Sequence, residues 1–201
     1  MRIERKWFLA IAVVLTSLWL VVNARTGADE TKMRWDIISV DFNTRTGSAG
    51  GSASARANDG SKITLKGSGT FKPGDPEDVT GGGTWTTFDP SGAMTGSGTY
   101  EVKRLVKFDL APGTFPLATD NIGNPLDFRA GLAFLRIRYS PDGQSGILVV
   151  SCAAGGTSPP TIFEGITVSK GFVDYWNREV PPAPPADANR TNFHVVPEAQ
   201  N

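Results

Sequence analysis

Three times in this chain a glycine-rich pair runs into threonine and then an aromatic residue, at nearly equal intervals. The copies are Gly67-Ser68-Gly69-Thr70-Phe71, Gly81-Gly82-Gly83-Thr84-Trp85 and Gly96-Ser97-Gly98-Thr99-Tyr100, with threonines 14 and then 15 residues apart. No common helical repeat is this short, whereas successive antiparallel strands joined by tight turns have this rhythm. Glycine inside a strand permits sharp coiling and close backbone approach. The repeat therefore predicts neighbouring strands of one strongly curved sheet.

The rest of the chain agrees. Between residues 34 and 176 period-two stretches abound and no amphipathic helical window stands out. Asn58-Asp59-Gly60, Asp89-Pro90-Ser91-Gly92 and Ser140-Pro141-Asp142-Gly143 each separate two such stretches, and these residue types suit tight turns. About eight strands with local connections predict an all-β fold, an antiparallel meander closing into a small β-barrel. A β-sandwich is the alternative, since either arrangement protects the sheet edges. The longest gap, 111–128, carries Pro112-Gly113, Pro116 and Asn124-Pro125. A loop of that length reads either as cover for a ligand mouth or as a disordered connection.

The ends differ from the middle. Arg2, Arg5 and Lys6 precede a 16-residue apolar run, Trp7 to Val22, and then Val22-Asn23-Ala24. This pattern predicts a signal helix in residues 1–24, cleaved after Ala24, and an exported, secreted or periplasmic protein. The alternative is an anchor left in the membrane through residues 7–22, although about 20 residues are needed to span a bilayer. Residues 25–33 read as a linker, 34–179 as the barrel domain and 180–201 as a Pro-rich flexible tail. Without its first 24 residues the 201-residue chain keeps 177 and loses three basic and one acidic residue from 20 of each, for a net charge of −2. No basic stripe marks a nucleic-acid partner, and a membrane would be met only through an uncleaved N-terminal segment.

The hairpin from Gly83-Thr84-Trp85 through Ser91-Gly92 to Thr95-Gly96-Ser97-Gly98-Thr99-Tyr100 resembles the opening hairpin of avidin-type barrels. The resemblance covers 18 of the 201 residues and implies an up-and-down barrel with a pocket at one end. The later tryptophan-bearing strands of that family have no counterpart except Trp176, so no ligand or binding residue is carried over.

Chemistry is sparse. His194 lies in the expected tail and Cys152 ends an apolar run, which predicts an exposed histidine and a buried, unreactive thiol. One cysteine and one histidine build no zinc site, and Asp75, Glu77 and Asp78 read as a solvated acidic turn. No metal or cofactor is expected. Strand alternation places Tyr100, Val102, Arg104, Val106 and Phe108 on one face, which would carry Arg104 inward. Ile162, Glu164, Ile166 and Val168 share another face, so Glu164 would also turn inward and pair with Arg104. A rim position for either residue, or a phase shift at Gly165, is the competing reading. Arg136 and Arg138 lie opposite the apolar face of Leu135, Ile137 and Tyr139 and should meet solvent.

These observations predict an exported, non-enzymatic barrel that binds a small apolar or amphipathic ligand, or a partner, at an open end. Arg104, Glu164 and Tyr139 are the candidate contacts. A barrel-fold isomerase or cyclase using the same three residues, and a structural envelope-associated module, are the alternatives.

Overall fold

The structure is a computed structural model that describes residues 31–197. The expected signal helix, most of the linker and the last four residues lie outside the described part. The described chain is all-β, with one sheet of 13 strands. The strands are β1 (Met33–Asp41), β2 (Thr46–Ala49), β3 (Ala53–Arg56), β4 (Lys62–Lys72), β5 (Asp75–Phe88), β6 (Met94–Ala111), β7 (Thr119–Asp120), β8 (Phe128–Ser140), β9 (Ser145–Cys152), β10 (Gly165–Lys170), β11 (Val173–Tyr175), β12 (Asn177–Arg178) and β13 (Arg190–Val195). From β3 to β11, leaving out the short β7, each strand pairs antiparallel with the next, as a meander requires. The three expected turns join β3 to β4, β5 to β6 and β8 to β9, with Gly60, Gly92 and Gly143 at positive φ.

The sequence predicts a barrel closed by the meander itself, whereas the ring here also needs the two ends of the described chain. The hydrogen-bonded path returns on itself through β8, β6, β5, β4, β1 and β13, so the two ends of the described chain close the ring. Three strands change partner along one edge. β4 pairs with β3 over Lys62–Leu65 and with β1 over Ser68–Phe71, β1 leaves β4 for β2 after Asp36, and β8 leaves β13 for β9 after Arg129. The segment expected to be a flexible tail therefore supplies β13. Phe193, fully buried, packs edge-on against Phe71 and Phe108.

The glycine repeat finds its purpose in side-chain seats. Thr84 and Thr99 lie opposite each other, and Trp85 lies opposite Gly98. A Cβ at Gly98 would stand 2.9 Å from the Trp85 indole nitrogen and 2.0 Å from the Ser140 carbonyl oxygen. One at Gly67 would stand 2.2 Å from the Tyr100 hydroxyl. Buried aromatics thus occupy the space that side chains on the neighbouring strands would take. Trp85, Tyr100 and Tyr139 form one aromatic cluster, and the Lys170 ammonium lies 4.3 Å from the Trp85 ring and 5.1 Å from the Tyr139 ring while pairing with Asp142.

Two bulges in β6 overturn the expected inward Arg104. The register passes from Val102↔Ile137 to Arg104↔Arg136, and from Leu105↔Leu135 to Lys107↔Phe134, so Lys103 and Val106 are extra residues. Each extra residue reverses which face the following side chains occupy. Val102 and Leu105 are consequently buried, and Phe108 packs on the core. Arg104 is 49% exposed and pairs with Glu77. The arginines of β8 behave as expected, with Arg136 and Arg138 exposed and Leu135, Ile137 and Tyr139 buried.

Candidate functional site

β1 carries apolar residues on both faces, and this places the site. Trp35 and Ile37 enter the core, whereas Ile38 and Val40 look the other way. Over that second face run the long connection 112–127 and the Pro-rich segment before β13. The space between them is a half-open cavity of about 520 Å³. Its walls are mostly aliphatic and aromatic, including Ile38, Phe42, Phe115, Leu117, Phe128 and Phe163. Ligand sites of this kind combine apolar walls with a few placed polar groups.

The long connection is fastened at several points. It carries β7, which pairs in parallel with β2. The Ala118 amide donates to the Arg45 carbonyl at 2.9 Å, and the Thr114 amide donates to the Thr157 hydroxyl at 3.1 Å. At its far end Asp120 meets His194, Oδ2 to Nε2 at 2.6 Å, with both side chains almost fully buried. His194 is only 2% exposed, because β13 is a paired strand and the connection lies against it. The exposed tail histidine expected from the sequence is therefore a buried partner of Asp120.

The Pro-rich segment is tied down by two residues near its end. Asp187 accepts from the Ser39 hydroxyl at 2.7 Å and the Val40 amide at 2.9 Å. Asn189, at positive φ, accepts from the Ser54 amide at 2.7 Å and donates to the Val180 carbonyl at 3.2 Å. Val180 and Pro181 are thereby held at the cavity wall.

Of the three residues singled out in the sequence, only Glu164 reaches the cavity. Its carboxylate accepts from the Ala153 amide and the Thr191 amide, each at 2.6 Å. It thus fastens the segment after β9 to the start of β13. Burial pushes its carboxyl up to about 8, against the two amide hydrogen bonds and Arg190, which act to lower it. Tyr139 belongs elsewhere: its hydroxyl donates to the Ser169 carbonyl at 2.9 Å, near the opposite end of β10 from Glu164, and burial raises the phenol's pKa. Arg104 pairs with Glu77 outside the cavity, so the expected Arg104–Glu164 pair does not form. Cys152 lines the cavity and is buried, and desolvation raises its thiol pKa well above the ordinary value. Among the described residues no cluster of His, Cys, Asp and Glu side chains is arranged to hold a metal ion.

The polar residue that sequence reasoning missed is Asn192. It lies on β13, lines the cavity and is 1% exposed, yet among the described residues neither amide atom has a hydrogen-bond partner. Its only sequence signal was the alternation of Arg190, Asn192 and His194 against Thr191, Phe193 and Val195. Two arginines stand by the same space, Arg190 with its guanidinium 4.9 Å from the Phe42 ring and Arg178 at 5.2 Å from Phe163. The chain matches no family model, and no curated protein and no solved structure is significantly similar to it.

Proposed function

We propose that the protein is an exported, barrel-like binding domain that holds a small apolar or amphipathic ligand between β1, the 112–127 connection and the Pro-rich segment. The observation that carries this reading is the mostly apolar cavity, into which the otherwise unpaired Asn192 contributes a buried polar group. Buried polar groups in folded proteins are nearly always paired, and one left open in a cavity marks a place for a ligand or water. Export rests on the N-terminal sequence, with its basic head and apolar run. Binding is preferred over isomerase or cyclase chemistry because Arg104 and Tyr139 stand away from Glu164.

Native mass spectrometry of protein purified gently from its source tests the reading. A retained small-molecule mass is expected, and it should be lost in Val180→Trp, where the bulky ring occupies the cavity wall. Val180 is exposed, so this change leaves the core intact. A bare protein mass under gentle conditions, with no uptake of added apolar dye, would overturn it.

A further inference from the structure

The hydrogen-bonding capacity left open at Asn192 specifies more than a polar contact. A primary amide presents an N–H donor and a C=O acceptor side by side, and here both are unused. The neighbours leave it unanswered. Asp36, opposite Asn192 in the β1–β13 register, has both oxygens engaged by Arg34, at 2.7 and 2.8 Å. Glu164 already accepts one backbone amide on each oxygen. His194, two residues along, turns Nε2 to Asp120 and makes no bond with the amide.

Donor and acceptor type selects further. Arg190 donates to the Pro182 carbonyl, stacks on Phe42 and faces Asp187 at 3.9 Å, while Arg178 lies over Phe163. Each guanidinium thus lies on an aromatic ring, with the Arg190 Nε left without a hydrogen bond, and the carboxyl of Glu164 stands in the same cavity. An ionised carboxylate or phosphate head group carries acceptors alone and would leave the Asn192 carbonyl oxygen unpaired. A neutral group with one donor beside one acceptor would instead meet Asn192 through two parallel hydrogen bonds, with its apolar part against the aliphatic and aromatic walls.

We propose that the ligand is an amphipath whose polar head is a neutral amide, paired two-to-two with the Asn192 side chain. This inference rests on the cavity being a binding site, and the experiment separates the two. The full protein is loaded with Nile red, and dodecanamide, dodecanol and dodecanoate are compared as competitors. Dodecanamide should displace the dye at a concentration at least about tenfold below the other two, the scale of one well-made pair of hydrogen bonds. Asn192→Leu should keep the dye and lose the preference. The isosteric Asn192→Asp, which removes the donor pair, should lose it as well, and serves if the leucine variant does not fold. Equal displacement by the three compounds, or a preference that survives both substitutions, overturns the amide assignment and leaves the binding reading standing. Failure of the unaltered protein to take up the dye or any competitor overturns both.

Discussion

Glu164 shows how one carboxyl can serve structure and report on the cavity at once. It holds two backbone amides at 2.6 Å, and burial raises its carboxyl from the ordinary value of 4.5 to about 8. Between those two pH values the folded protein keeps a proton that the unfolded chain has released. The folded state therefore loses stability as pH rises through this window, and below about pH 4.5 the penalty is absent. Glu164→Gln removes the titration and replaces one acceptor oxygen with a donor. Urea unfolding at pH 5 should show the variant destabilised by about 1–3 kcal/mol, because one buried amide loses its acceptor. Between pH 5 and pH 8 its stability should fall by ~3.5 kcal/mol less than that of the unaltered protein. Parallel pH curves for the two proteins would sink this account. The apolar neighbours at 162, 166 and 168 gave Glu164 an apolar setting in the sequence, but its backbone partners were not legible. They come from the segment after β9 and from β13, 11 and 27 residues away.

At the scale of elements, β6 and β13 show opposite kinds of legibility. In β6 the core-facing residues Val102, Leu105 and Phe108 stand three apart, a spacing that a strict strand alternation cannot produce. That spacing was visible in the sequence and signalled the two bulges, while the alternation of Tyr100 and Val102 alone sent Arg104 inward. With β13 the difficulty was its surroundings, since a Pro-rich run before it and a polar composition within it resemble a tail. Thr191, Asn192, Phe193 and His194 are all buried because β13 is paired on both sides and covered on both faces. Phe193→Ala should consequently cost about 3–5 kcal/mol in chemical denaturation, the range for emptying a large buried aromatic. Ending the chain at Ala186 should abolish the cooperative transition, since it removes the strand that closes the ring between β1 and β8. A truncated protein that unfolds at the same denaturant concentration would restore the tail reading.

For the molecule as a whole, the question is what keeps the cavity covered. The 112–127 connection crosses the outer face of β1 and is tied by β7, by Arg45 and by the Asp120–His194 pair. Asp120→Asn weakens the charge-assisted tie and leaves the backbone pairing in place. Amide hydrogen exchange over residues 114–121 should then speed up about tenfold, as expected for local opening costing ~1.4 kcal/mol less, while β8 and β9 keep their protection. Unchanged exchange in the connection, or an equal rise throughout the sheet, would show that the pair does not hold the cover. The sequence by itself determined the all-β character, the order of the meander and its three turns, because alternation, glycine spacing and turn residues act over a few neighbours. Only the tertiary structure decided that the two ends of the described chain close the ring, that Arg104 faces solvent, and that Asn192 and Glu164 share a cavity. Those outcomes depend on contacts between residues far apart along the chain, where local pattern carries no register and a single bulge reverses every side chain after it.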